Sequence, residues 1–190
     1  MNKRSSQQEH ILEGTIRVFN RKGMKFTMDD LARELSMSKK TIYVSYKDKQ
    51  GLFFDMVDYL FDNISDKKRE VVNDSKLTTL QKVRKILGVM PESYSEIDFR
   101  QLYMLRDKYP DLYRRVEERL ETGWDETIAL IEQGIKEGVI RDIPIFLVKT
   151  MLEASLEQFF ARDVLVKNKL SYNEALENVV EIIVDGIAVR

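Results

Sequence analysis

Ser38, Lys39, Lys40 and Thr41 stand in a row, followed at short intervals by Tyr43, Tyr46 and Lys49. These residue types can all hydrogen-bond to nucleic acid. Lysine can donate to guanine O6 and N7, and a threonine methyl can meet a thymine methyl. Ser38 can cap a helix that begins at Lys39, which places Lys39, Lys40 and Thr41 on its outward opening turn. Asp48 can cap the next helix, so Lys49 falls in a first turn. There, free backbone N–H groups and the helix dipole favour an anion, and a lysine is unfavourable unless a phosphate is present. With the hydroxyls of Tyr43 and Tyr46, this makes a clamp for backbone phosphates. Tyr46 reads equally well as a half-buried core aromatic with a wet hydroxyl.

Covalent chemistry has little to work with. The chain has no cysteine and a single histidine, His10, which lies early on a helix beside Glu9 and reads as a surface residue. There is no Gly-rich phosphate loop and no Glu-x-x-His pairing. An enzyme is therefore not expected, and no catalytic residue, metal ligand or cofactor is assigned.

Two short helices and a turn must position the polar row. Thr27 can cap the first, with Asp30 three residues on in a capping-box spacing, and Phe26 and Leu31 stand at the spacing of a hydrophobic staple. Leu31, Ala32 and Leu35 give that helix a buried face, and Ala32 is small where a second helix would cross. Ser36-Met37 makes the turn. The second helix runs from Lys39 to about Val44, with Ile42 pointing back. This is a helix-turn-helix, whose second helix presents its N-terminal residues to the major groove. An earlier helix, expected to start from a capping box at Ser6-Gln7-Gln8-Glu9, carries Leu12, Ile16 and Phe19 and ends at Gly23.

Charge agrees. Residues 1–50 carry 11 Lys/Arg against 6 Asp/Glu, whereas residues 51–190 carry 20 against 26. A basic head on an acidic body suits a protein that offers one end to a polyanion.

Residues 8–57 resemble the DNA-binding head of the TetR family of transcriptional regulators. The family pattern IL..A..LF...G, then T...IA...GVS.GTLY.YF..K..L, is matched by Ile11-Leu12, Phe19, Gly23, Thr27, Leu31-Ala32, Ser38, Thr41, Ile42-Tyr43, Tyr46, Lys49 and Leu52. Gly14 stands where the family often has Ala, Ser36 replaces the turn Gly, Lys40 a Gly, Val44-Ser45 a Tyr-His pair, and Tyr46 a Phe. The resemblance implies that Thr27, Tyr43, Lys49 and Tyr46 contact phosphates. It implies too that Lys39, Lys40 and Thr41 face base edges or nearby backbone, with Ser38 beside them in the DNA-binding set.

The remainder reads as helices. A long one starts at Lys49 and carries Phe53, Val57, Leu60 and Ile64; another spans about Thr79–Val89. A single helix is expected from about Asp111 to Glu137, on Leu112, Val116, Leu120, Trp124, Ile128, Ile131 and Ile135, ended by Gly138. The last two helices, about Pro144–Val164 and one opened by a capping box at Ser171–Glu174, are apolar over more than one stripe and need partners on two sides. The same pair from a second chain would supply the other side; the alternative is a pair fully buried within one chain. Leu152, Leu156, Phe159, Val180, Ile183 and Ile187 are the residues expected at that dimer interface. Leu60, Leu87, Met90, Phe99, Tyr103, Trp124 and Met151 are those expected around a small-molecule effector, a pocket that the family resemblance places among the middle helices of the body.

The fold expected is all-α, with about nine helices: a three-helix DNA-binding head, residues 1–50, and a larger helical body for effector binding and dimerisation, residues 51–190. The function expected is a ligand-responsive repressor that binds a pseudo-palindromic operator on double-stranded DNA as a homodimer and is released by an unknown small molecule. The alternative is a helical small-molecule-binding or adaptor protein that no longer reads DNA. No apolar run approaches the roughly 20 residues that span a bilayer, and the N-terminus lacks the apolar core of a secretory signal. With no cysteine, a cytoplasmic protein without a membrane partner is expected.

Overall fold

The computed structural model describes residues 4–90, 106 and 109–189. Its helices are α1 (Ser6–Lys22), α2 (Met28–Glu34), α3 (Lys39–Ser45), α4 (Lys49–Asn73), α5 (Thr79–Leu87), α6 (Pro110–Glu121), α7 (Asp125–Lys136), α8 (Ile145–Ala161) and α9 (Tyr172–Ile187). A 3-10 turn, Gly23–Lys25, follows α1, and one further helical turn, Val164–Lys167, stands between α8 and α9. Among the described residues there is no strand, only an isolated bridge between Ile140 and Ala188. The chain divides into two compact units. One is drawn from Met1–Phe61 and Glu96–Val116, the other from Asp62–Ser95 and Glu117–Arg190. The division by packing thus falls inside α4, not at its start.

In the first unit α1 buries Ile11, Leu12, Ile16, Val18 and Phe19. Its cap is Ser5, with Gln8 reaching back to complete the box, one residue earlier than expected from Ser6 and Glu9. Both serines precede a side chain able to reach back. The neighbouring Arg4 is fixed to Asp55 of α4 at 2.7 Å, which holds the chain at the earlier register. Leu35, at the end of α2, packs so closely on α1 that a Cβ at Gly14 would lie 2.3 Å from its Cδ2. That contact explains a glycine where alanine fits relatives of the motif. Leu52, Phe53, Met56, Val57 and Leu60 of α4 close the core, with Leu112 and Val116 of α6 in the same unit. The Phe53 ring meets Phe26 at 5.5 Å and Phe19 at 6.1 Å between centroids, both edge-on, the geometry that aromatic quadrupoles favour.

The core of the second unit is built from Val83 and Ile86 of α5, Ile131 of α7, Val148 and Leu152 of α8, and Val180, Ile183 and Val184 of α9. The single long helix expected over 111–137 is two helices. Gly123 adopts φ +87 between α6 and α7, a left-handed conformation that ends a helix and that side chains resist. The apolar period runs through Leu120, Trp124 and Ile128 without a gap, so periodicity alone hides the break. Gly138 ends α7 as expected, at φ +72, with Val139 N–H donating to Gly134 O and Gly138 N–H to Ile135 O, a Schellman ending. Helix α8 stops at Ala161, short of Val164.

The residues expected at a dimer interface lie mostly inside the chain's own core, and this corrects that assignment. Leu152, Val180, Ile183 and Ile187 are buried there, Leu156 packs against them, and Phe159 meets Tyr172 at 6.2 Å. Both helices are apolar on two faces, and the stronger stripe is the one the chain buries itself. The outward apolar residues are Phe146, Leu147 and Met151 of α8 and Ile182 of α9, exposed by 66%, 45%, 54% and 70%. Met151 was expected at the effector and is instead on this outer face. Of the other effector residues, Leu60 is buried in the first unit, while Leu87 and Trp124 are buried in the second, where Met90 packs on the same core. Phe99 and Tyr103 lie outside the described residues.

Candidate nucleic-acid interface

Each end of the α2–turn–α3 element is closed by its own residues. Asp30 N–H donates to Thr27 Oγ1 at 3.1 Å and Thr27 N–H to the Asp30 carboxylate at 2.9 Å, the reciprocal pattern of a capping box. The Lys22 ammonium also donates to Asp30, at 2.6 Å. That bond first, and then those from Thr27, hold the Asp30 carboxyl well below the usual carboxylate range. Glu34, at the other end of α2, accepts from Arg21 and from Arg17, and its pKa is lowered by those two bonds in that order. Phe26 and Leu31 are both buried. The turn is a Schellman motif with serine at its left-handed position. Met37 N–H donates to Ala32 O at 2.9 Å, Ser36 N–H to Arg33 O at 3.3 Å, and Ser36 has φ +51. Ser38 then caps α3, accepting from Thr41 N–H at 3.1 Å, and the Ser38 and Thr41 hydroxyls share a hydrogen bond of 2.8 Å.

Ile42 is fully buried and fixes which face of α3 turns outward. Lys39, Lys40, Tyr43, Val44 and Lys47 are exposed on and just after that helix. The Lys39 ammonium pairs with Asp29 at 2.7 Å, and that bond raises its pKa. Lys40 has no ion pair among the described residues. Val44 and Lys47 were absent from the expected set. Val44, in the last turn of α3, is 80% exposed, which for an apolar side chain fits contact with a thymine methyl. Counting from the buried Ile42 would have placed Val44, because α3 exposes 40, 43 and 44 on one side; Lys47 follows the extended Tyr46, where helical counting no longer applies.

Two expected phosphate contacts face inward, and these are corrections. Tyr46 is buried, and its hydroxyl donates to Asp55 Oδ2 at 2.6 Å, while Arg4 Nε donates to Asp55 Oδ1 at 2.7 Å. Burial, then the Asp55 bond, pushes the Tyr46 hydroxyl pKa up. The Lys49 ammonium donates to Met24 O at 2.8 Å and to Phe26 O, and lies 4.2 Å from the Phe26 ring centroid. A cation in a helical first turn is thus compensated by carbonyls and ring faces of the preceding loop, so it does not require a phosphate. Asp48 does cap α4, accepting from Gly51 N–H at 2.7 Å.

The comparisons agree with this geometry. The family model described as bacterial regulatory proteins, tetR family, matches residues 11–56. A relative from Bacillus subtilis (strain 168), described as an uncharacterized HTH-type transcriptional regulator YvaF, is 27% identical over 179 residues, covering 94% of each chain. Among solved structures, a TetR transcription regulator from Haloarcula marismortui superposes with a TM-score of 0.72 at 22% identity, over 98% of this chain and 100% of that one. The transcriptional regulator FadR from Bacillus subtilis, solved in complex with stearoyl-CoA, gives 0.67 at 16% identity, over 94% and 98%. No helix among the described residues is long and apolar enough to cross a membrane. A helix-turn-helix closed by its own caps, with a lysine-bearing outer face, and the match over residues 11–56 make the N-terminal head of this chain similar to the DNA-binding head of the TetR family of transcriptional regulators.

Proposed function

We propose that this regulator is a homodimeric repressor of a pseudo-palindromic operator, acting in the cytoplasm and released by a small molecule. The observation that carries the DNA-reading half is the outward row of α3, in which Lys40 and Val44 are exposed beside a fully buried Ile42. Lys39, Lys40, Thr41 and Val44 meet base edges or the adjacent backbone, and Thr27, Ser38, Tyr43 and Lys47 take phosphates. Residues 1–50 read DNA, and residues 51–190 bind the effector and dimerise. The outward apolar residues Phe146, Leu147, Met151 and Ile182 support the dimer, because large apolar side chains left exposed on a helix pair are stabilised when a second copy covers them. Repression follows if the operator overlaps a promoter. The effector side of the reading places the ligand in the second unit, near Trp124. There it favours a conformation whose heads are wrongly spaced for the two half-sites. Helix α4 carries residues of both units, which makes it the element through which such a change would pass.

Duplex binding followed by fluorescence anisotropy across a salt series tests the reading face. Lys40→Met is expected to weaken binding and, if Lys40 meets phosphate, to lower the slope of log affinity against log salt by about one. If it meets guanine, the loss is about 1–3 kcal/mol and confined to sites bearing that base. Unchanged affinity on every duplex would remove Lys40 from the interface.

A further inference from the structure

Trp124 is the chain's single tryptophan, and two ammonium groups stand by its indole. Lys68 of α4 places Nζ 5.8 Å from the ring centroid, and Lys149 of α8 places Nζ 5.9 Å from it. Both reach carbonyls at the C-terminal end of α6. Lys68 donates to Gly123 O at 3.1 Å and Lys149 to Glu121 O at 3.3 Å, while Trp124 Nε1 donates to Leu120 O at 3.3 Å. Cations near a helix C-terminus satisfy its orphan carbonyls and its dipole. That accounts for one of the three donors on each lysine.

Neither ammonium is held in a short ion pair among the described residues. Lys68 has no carboxylate in ion-pair contact among the described residues. Burial pulls its pKa below the ordinary lysine value, opposed by the field of Glu126. Glu126 itself lies 3.9 Å from Arg69, whose closer partner is Asp66 at 2.8 Å. Lys149 faces Glu153 at 3.7 Å, longer than a hydrogen bond, and Glu153 Oε1 is buried with no hydrogen-bond partner. Each ammonium therefore has one carboxylate in its neighbourhood, neither hydrogen-bonded to it, beside an aromatic ring that belongs to the same core as Ile131, Val148 and Leu152. A partly desolvated cation without a hydrogen-bonded counter-ion is stabilised when an anion joins it.

We propose that Lys68 and Lys149 anchor the anionic group of the effector, an organic carboxylate or phosphate monoester whose apolar body lies against Trp124. This rests on the effector-responsive reading above and adds the class of ligand and the residues that hold it. An anion at Lys68 competes with the Gly123 carbonyl, so its arrival bears directly on the break between α6 and α7.

Because Trp124 is the only tryptophan, its emission in the full-length protein reads the site. Titrations with decanoate, decyl phosphate, decanol and decylamine compare one apolar chain with four head groups. Saturable change with decanoate or decyl phosphate is expected, with decanol and decylamine about ten-fold weaker or more, and the tighter of the two anions tells carboxylate from phosphate. Lys68→Met is expected to weaken the anion about ten-fold or more, as for a lost charged hydrogen bond, and Lys67→Met, its exposed neighbour, to leave it unchanged. Lys149→Met gives the same reading where Lys68→Met fails to fold. Equal binding of decanol, indifference to both lysine variants, or no saturable response to either anion would overturn the proposal. Duplex binding on the same preparations is scored separately. Duplex binding without an anion response removes the anchor and leaves the regulator; an anion response without duplex binding does the reverse.

Discussion

A lysine ammonium has three donors and no acceptor, and at Lys49 the carbonyls of Met24 and Phe26 take two of them while the Phe26 and Phe53 rings lie beneath. These bonds tie the start of α4 to the loop that leads into α2, so Lys49 supports the reading face from behind. Lys49→Met is expected to cost about 2 kcal/mol of stability, the scale of a hydrogen bond from a charged group, in urea unfolding followed by circular dichroism. A phosphate-gripping Lys49 would leave stability unchanged and lower only the salt slope of DNA binding. The residue type and position of Lys49 were legible in the sequence, and its direction was not. A helix first turn attracts anions from solvent and carbonyl oxygens from within the chain by the same electrostatics, and only the path of the preceding loop decides between them. Tyr46 followed the same logic, because its hydroxyl finds Asp55 nine residues along the chain and not a phosphate outside it.

At the scale of elements, caps and turns were the most legible features. Thr27, Ser38, Asp48 and Ser171 all cap the helices their spacing implied, because a cap is local and needs nothing distant to form. The turn residue Ser36 is the informative departure. It holds φ +51, a conformation that costs a residue with a Cβ roughly 1 kcal/mol and glycine almost nothing. Part of that gain is lost to glycine's freer unfolded chain, so Ser36→Gly is expected to stabilise the protein by about 0.5 kcal/mol. A lower urea midpoint for Ser36→Gly would show that the serine side chain contributes something the turn geometry does not. The break at Gly123 escaped because a period of 3.6 continues across one turn without losing register, and a glycine inside an apolar helix pattern does not announce its φ.

For the whole molecule, the number of apolar faces was legible and their assignment was not. Helices α8 and α9 were expected to need partners on two sides, yet the stripe chosen for the second chain is the one the chain fills itself. Periodicity ranks stripes by strength, and the stronger stripe goes to the intramolecular core, where burial is complete. The weaker, outward set is left for association. Met151→Glu is therefore expected to yield a folded monomer by sedimentation, with helical content retained, whereas Leu152→Glu places a charge in the core and unfolds the unit. A dimeric Met151→Glu protein would move the interface elsewhere.

Selection of duplex DNA from a random pool, with recovered sites footprinted, bears most directly on whether this chain reads DNA as a two-headed regulator. Enrichment of a pseudo-palindrome whose half-sites are centred about one helical turn apart, roughly 34–36 Å or a multiple of it, is the predicted result. Recovery of unrelated sequences, or of single half-sites without a partner, would contradict it.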